Sequence, residues 1–303
     1  MIKAIIDLGS NTIRMCVYEM NQDSFQLLFE KKTMAGLANF VKDDKLSRQG
    51  IEKAGEILND YKEILDNFQV DEGNTHVFAT ASLRNIDNTA QVIEIMKDMT
   101  GYSIELLSGK EEATLDFIGA THSVSVKEGI VVDIGGGSTE LVAFRENEIL
   151  FAVSMPIGSL NLYVKNVSKI IPKKEERNII KQTVLEQLQA LDIASMVIPT
   201  ICGVGGTIRA ASKLNNRMFH MPGNNINIEI SHIKELLTQF TNSHRKTITP
   251  VLQNIPDRIH TIIPGMIILD TIADYFHSEM IMVSKYGIRE GYLYERIIRG
   301  DAG

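Results

Sequence analysis

Apolar residues from Ile2 to Ile6 predict a strand that runs into Asp7 and then through Leu8, Gly9, Ser10, Asn11 and Thr12, followed by a second strand-like run through Val17. The same order returns between Gly129 and Val142. There Ile130, Val131 and Val132 suit a buried strand, which passes into Asp133, then Gly135, Gly136 and Gly137, then Ser138 and Thr139. Asp7 and Asp133 lie 126 residues apart, a spacing that predicts duplicated domains rather than a short solenoid repeat.

Between the copies, Ser47 is placed to cap a helix whose apolar face is Ile51, Ala54, Leu58, Tyr61, Leu65 and Phe68, at steps of three and four. A strand at His76–Ala79 should end in a loop holding Thr80, Ser82 and Arg84. A helix from Asn88 to Met99 stops at Gly101, a strand covers Ile104–Leu107, and Ser108, Gly109, Lys110 and Glu111 form a capping box opening a helix toward Ala120.

After the second copy, Phe151–Val153 continues the sheet and Pro156–Ser159 makes a turn. A helix from Pro172 buries Ile180, Val184, Leu188 and Leu191. An apolar strand at Met196–Cys202, broken by Pro199, enters a third glycine loop, Gly203–Thr207, and a helix at Ile208–Leu214 with Arg209 one turn inside it. A polar loop from Asn215 to Asn225, a helix capped by Ser231, an apolar helix at Ile262–Tyr275, a strand at Met280–Val283 and a closing helix at Gly287–Ile298 complete the chain. Strands alternating with helices predict α/β layers, with ligand loops at the strand ends.

Composition narrows the function without choosing it. At 303 residues the chain suits two domains, and 44% hydrophobic with 23% charged residues is ordinary for a globular protein. Cys16 and Cys202 support neither a disulfide framework nor a cysteine metal site, and the seven histidines show no metal-ligand spacing. The N-terminus lacks the long apolar core of a signal peptide and no run reaches a membrane span, so a cytoplasmic protein without a membrane partner is expected. A net charge of −7 argues against nucleic-acid binding, yet a phosphate held by local dipoles, a few arginines and a metal stays compatible with it.

The glycines after Asp133 let backbone N–H groups turn toward an anion, and Ser138 and Thr139 add hydroxyls. Asp133 and Glu140 bracket this loop with carboxylates, which would repel a phosphate unless a cation such as Mg²⁺ sits between them. The spacing of Glu111 alone reads as a helix cap.

Taken together, DLGSNT, ATASLRN, SGKEEA, VVDIGGGSTEL, GVGGT and SKYGIREGYLYE resemble the exopolyphosphatase and guanosine pentaphosphate phosphohydrolase family, from Ile2 to about Arg296. The resemblance implies two duplicated α/β domains of the actin, sugar kinase and Hsp70 superfold, ribonuclease H-like, with an interdomain active-site cleft. Domain I would be residues 1–120, with the C-terminal helix 286–303 packing back onto it, and domain II residues 121–285. The implied reaction is Mg²⁺-dependent hydrolysis of a terminal phosphoryl group, with K⁺ as a further candidate cofactor. Polyphosphate is the preferred substrate and guanosine pentaphosphate (pppGpp) the alternative; an ATP-dependent kinase of the same superfold is a more distant rival.

By the same resemblance, Glu111 takes the proton of the attacking water, neighbouring carboxylates keep its pKa in a useful range, and Glu112 is its fallback. Asp133 and Glu140 hold Mg²⁺. Gly135, Gly136, Gly137 and Ser138 bind the reacting phosphate, with Ser10, Asn11 and Thr12 on the other domain, and Arg84 supplies a permanent charge. Arg14, Gly205, Gly206 and Thr207 are further candidates for substrate contact, and a homodimer is a candidate assembly.

Overall fold

The computed structural model describes residues 1–22, 24–191, 193, 196–240 and 244–300. They form two compact units, Met1–Glu112 with the C-terminal segment from Tyr292, and Ala113–Gly291. The first division falls inside a helix, Gly109–Ser123, rather than near residue 120. Its first turn belongs to the first unit, where Glu112 pairs with Arg84; Ala113, Phe117 and Ala120 belong to a core of the second. The second division lies at Tyr292 rather than 286, because Tyr292 stacks on Phe78 and bonds to Glu105.

In the first unit β1 (Ile2–Leu8), β2 (Thr12–Met20) and β3 (Phe25–Met34) form an antiparallel meander. A short ribbon, β4 (Val41–Lys42) with β5 (Lys45–Leu46), follows. Strands β6 (Thr75–Ala79) and β7 (Ile104–Leu106) then add in parallel, giving the order β3-β2-β1-β6-β7. One face of this sheet, through Ala4, Ile6, Leu8, Ile13, Met15 and Val17, forms the core with α1 (Arg48–Asn67). The Ser47 hydroxyl caps α1 by accepting from the Gly50 N–H at 3.4 Å. Ile51, Ala54, Leu58, Tyr61 and Leu65 are buried as their spacing predicts, and each large one contributes about 1.5–3 kcal/mol relative to exposure. Phe68 lies past the helix end and is half exposed, against Phe29.

The segment after β6 is not an open loop but a helical turn, α2 (Ala81–Arg84). Its Ser82 hydroxyl donates to the Leu8 carbonyl, and the Leu83 and Arg84 N–H groups donate to Thr80. Next, α3 (Thr89–Thr100) ends at Gly101, whose φ of 80° is the left-handed conformation that favours glycine.

The second unit opens with α4 (Gly109–Ser123) and repeats the sheet. Antiparallel β8 (Glu128–Ile134), β9 (Thr139–Arg145) and β10 (Glu148–Met155) are joined by parallel β11 (Thr200–Val204) and β13 (Met280–Val283), with β12 (Asn227–Glu229) on the edge, in the order β10-β9-β8-β11-β13-β12. The duplication read from the two aspartates thus extends to strand order and direction.

One face of this sheet, Ile130, Val132, Ile134 and Leu141, packs on α5 (Ser159–Asn166), α6 (Lys174–Ala190), α7 (Gly205–Met218), α8 (Ile230–Gln239), α9 (His244–Asn254) and α10 (Ile262–Phe276). The other, Val131, Val142 and Phe144, packs on α4. The chain closes with α11 (Ile288–Tyr292) and a π-helical stretch, Leu293–Ile298.

Four expectations fail here. The strand expected at Met196–Cys202 is Thr200–Val204: Pro199 has no N–H to give a ladder, although its carbonyl accepts from Glu279 and Met280 at the sheet entry. The third glycine stretch is no loop, since α7 begins at Gly205 itself. That helix continues through Asn215 and Asn216, which are buried because Asn215 meets the His232 ring at 2.9 Å and Asn216 bonds to Asn225. Ser231 lies inside α8, which starts after Glu229.

Candidate active site

Each aspartate is followed by a turn of the same design. In the first unit the Gly9 N–H donates to the Thr12 carbonyl at 3.1 Å; in the second the Gly135 N–H donates to the Ser138 carbonyl at 3.0 Å. Carbonyls of both turns are claimed from behind. Ala38 bonds to Ser10, and Ala35 and Gly36 bond to Asn11. The first N–H groups of α5 do the same for the glycine turn: Ser159 bonds to Gly135, and Leu160 and Asn161 bond to Gly136. The Asn161 side-chain amide adds a bond to Gly137 at 3.0 Å. With their carbonyls turned back, Ser10, Asn11, Gly136 and Gly137 have N–H groups that donate to nothing among the described residues. Such a run of unclaimed N–H groups is an anion-binding concavity.

Ser10 and Ser138 are buried at their turns, and Thr12 opens β2. Gly158 packs so closely on the glycine turn that a Cβ there would stand 2.5 Å from Gly136.

The residue seven positions after each aspartate stands directly across the hairpin from it. Asp7 faces Arg14 across β1 and β2, and Asp133 faces Glu140 across β8 and β9. Directly opposed residues share a sheet face. Arg14 therefore points to the side of Asp7, where its guanidinium bonds to Glu30 at 3.1 Å. Glu140 is 1% exposed and accepts from the Ser154 hydroxyl at 2.7 Å. Asp133 and Glu140 thus come together on the α4 face of the sheet, two carboxylates side by side at the mouth of the glycine turn. Among the described residues no cluster of three or more His, Cys, Asp or Glu is gathered for a metal. Two carboxylates without further protein ligands suit Mg²⁺, which keeps several waters and takes substrate phosphate oxygens.

The third glycine stretch serves these carboxylates. Gly205 has a φ of +80° and lies so near that a Cβ would be 2.1 Å from Asp133 Oδ1. Gly206 is covered by the Arg258 guanidinium, 1.9 Å from where its Cβ would be. The Thr207 hydroxyl, 2% exposed, donates to the Ile134 carbonyl at 2.7 Å. This is the counterpart of Ser82 on Leu8: in each unit a hydroxyl at a helix start ties down the residue after the aspartate. The structure therefore gives Thr207 and Gly205 supporting contacts.

Glu111 stands in the first turn of α4 and makes the full capping box. The Ser108 N–H and hydroxyl donate to its Oε2 at 2.9 and 2.8 Å, and its own N–H donates back to Ser108 at 3.2 Å. Its Oε1 accepts from Arg296 at 3.0 Å. Neighbouring carboxylates do not set its pKa as expected. The Ser108 N–H and hydroxyl, and then Arg296, hold the Glu111 carboxyl below the ordinary glutamate value. Glu112 points elsewhere, 7% exposed and paired with Arg84 at 2.7 Å, while Arg84 also donates to the Leu107 carbonyl at 3.1 Å.

A model of the Ppx/GppA phosphatase family matches residues 16–299. The chain belongs to this family of phosphoanhydride hydrolases. The Ppx/GppA chain is 30% identical to the "Bifunctional 3-dehydroquinate synthase/phosphatase" of Fusobacterium nucleatum, over 98% of this chain and 46% of that protein. It is 26% identical to the "Putative exopolyphosphatase" of Haemophilus influenzae, over 96% of this chain and 90% of that one. Among solved structures, the exopolyphosphatase of Cytophaga hutchinsonii superposes with a TM-score of 0.85 at 22% identity, over 99% of this chain and 98% of that one. The fold is therefore that of the Ppx/GppA proteins.

Several contacts of this Ppx/GppA chain escape sequence reasoning. Ser154 on Glu140 could have been sought, since it lies across β10 from it in register. The α5 N-terminus behind the glycine turn, Arg258 on Gly206 and Arg296 on Glu111 have no local signal. No helix among the described residues is long and apolar enough to cross a membrane.

Proposed function

We propose that this chain is an exopolyphosphatase, removing the terminal phosphoryl group of inorganic polyphosphate by Mg²⁺-dependent hydrolysis in the cytoplasm. The observation that carries the reading is the pair of turns whose carbonyls are bound from behind while N–H groups of Ser10, Asn11, Gly136 and Gly137 stay unclaimed, one turn ending beside Asp133 and Glu140. Phosphoryl transfer needs in-line water, neutralised oxygens and positioning, with little covalent work for the protein. The N–H groups bind phosphate oxygens. Asp133 and Glu140 would hold Mg²⁺, which when bound neutralises charge on those oxygens. Glu111, kept ionised by Ser108 and Arg296, accepts the proton of the attacking water. The Haemophilus relative's name favours polyphosphate over a nucleotide.

Phosphate release from polyphosphate of defined lengths, pppGpp and ATP, each with Mg²⁺ and no acceptor, tests the reading. Polyphosphate should turn over fastest, and Glu111→Ala should lower kcat by about 10²-fold or more. Faster turnover of pppGpp overturns the substrate assignment, and full activity in Glu111→Ala overturns the role of the base. Phosphate appearing only with an acceptor would make the protein a kinase.

A further inference from the structure

The carboxylate assigned as the base is held at both oxygens, by one neighbour in the sequence and one residue far from it. Ser108, three residues before Glu111, occupies Oε2. Arg296, 185 residues after it, occupies Oε1 at 3.0 Å. We propose that Arg296 is a positioning residue for catalysis: the closing segment of the chain returns to fix the Glu111 carboxylate in one orientation and one charge state. This rests on the reading of Glu111 as the base.

The clamp is built rather than incidental. Tyr292 and Arg296 are four residues apart on the closing helical segment, and each reaches Glu105 on β7. The Tyr292 hydroxyl donates to Glu105 Oε2 at 2.7 Å, and Arg296 lies 3.7 Å from Glu105 Oε1. Tyr292 is itself fixed, 5% exposed and stacked on Phe78 with ring centroids 5.2 Å apart. A buried aromatic thus anchors the segment, Glu105 steers the guanidinium, and the guanidinium bridges two carboxylates. A planar guanidinium has the donors for such bridging, while an ammonium supplies the charge alone.

The sign of the effect follows from the charges around Glu111. Arg296 favours the carboxylate, and Glu105 shares the same guanidinium. Glu112 is paired with Arg84, and Lys110 adjoins on α4. Removing Arg296 takes away the cation that favours the carboxylate, so Glu111 binds a proton at higher pH. Glu111 and Arg296 are 45% and 43% exposed at their side chains, so water screens the pair. The shift expected is roughly half a pH unit.

The test is the pH dependence of kcat/KM for tripolyphosphate hydrolysis with Mg²⁺, with KM measured separately, for wild type, Arg296→Ala, Arg296→Lys and Glu111→Gln. Arg296→Ala should move the acidic limb to higher pH by roughly half a unit and lower plateau kcat about threefold to tenfold, with KM within about twofold. Arg296→Lys should restore the limb and only part of the plateau, because charge returns without the fork. If Arg296→Ala fails to fold, Arg296→Lys decides by that same split between limb and plateau. A profile superposable on wild type in the Arg296 variants, while Glu111→Gln is inactive, overturns the proposal. Full activity in Glu111→Gln overturns the underlying base assignment instead.

Discussion

Gly205 offers the sharpest test of how the carboxylate pair is held. Its φ of +80° lies where an L side chain is strained, and replacing it with alanine costs about 1–2 kcal/mol on that ground alone. The larger consequence is local. A methyl carbon in that place would stand 2.1 Å from Asp133 Oδ1, 2.8 Å from its Cγ and 2.9 Å from Oδ2, so the whole carboxylate must withdraw by about 1 Å to restore ordinary contact. Backbone gives little room, because Val204 and Asp133 are register partners between β11 and β8. A displacement of about 1 Å at a reacting centre lowers rate by roughly 10²-fold. Gly205→Ala should therefore lower kcat by about that factor and raise the Mg²⁺ concentration needed for half-maximal activity, while its Tm falls by only about 2–6 °C. Phosphate release across a Mg²⁺ titration, paired with thermal melting, reads both. A folded Gly205→Ala protein with kcat and Mg²⁺ requirement within threefold of wild type would show that Asp133 need not sit where the glycine leaves room for it.

Three further outcomes follow from the same contacts. Arg84→Ala removes the guanidinium paired with Glu112, whose side chain is 10% exposed, and should destabilise the fold by about 1–3 kcal/mol; the double variant Arg84→Ala with Glu112→Gln should regain part of it in thermal melts. Ser154→Ala removes the hydroxyl on Glu140 Oε1 and should weaken Mg²⁺ activation by about tenfold or more with little change in Tm, as seen in metal-dependent rates. Asp270 is raised above 3.8, first by burial and then by Asp274, so its contribution to stability is complete below 3.8 and lost as pH rises through the folded value. Asp270→Asn, which cannot ionise, should then melt above wild type near neutral pH, with the gap closing toward about pH 4; an unchanging gap refutes the assignment.

The strands, the capped helix α1 and both turns were legible because their signals are local: a period of two or three to four, a glycine, a hydroxyl before an apolar run. The capping box at Ser108 was legible as structure, and it is there in full. What the sequence could not give were partners. Arg84 reads as a cation awaiting a ligand anion, but it pairs with Glu112, the neighbour of Glu111. Glycines at 205 and 206 read as a phosphate loop, yet a glycine is equally required where another group comes close, and here those groups are Asp133 and Arg258. Asn215 and Asn216 read as loop because asparagine favours turns, and burial with mutual hydrogen bonds reversed that. The α5 helix is short and mixed in character, too weak a pattern to stand out, although its first N–H groups hold the glycine turn.

The duplication explains why the two halves hold different groups on one scaffold. In a hairpin whose turn takes the four residues after the strand end, the seventh residue past the aspartate must face it, whatever that residue is. Both copies keep the aspartate, the turn bond from its second residue to its fifth, and the hydroxyl that ties down its first. They differ at the facing position. Arg14 there gives the first unit a cation beside Asp7, itself bonded to Glu30, so that hairpin has its charge compensated by protein. Glu140 gives the second unit a second carboxylate, 1% exposed, directly across from Asp133, and a pair of like charges on one sheet face is the arrangement that suits a divalent cation. The two hairpins therefore differ in charge through one side chain at one register position, Arg14 in the first and Glu140 in the second.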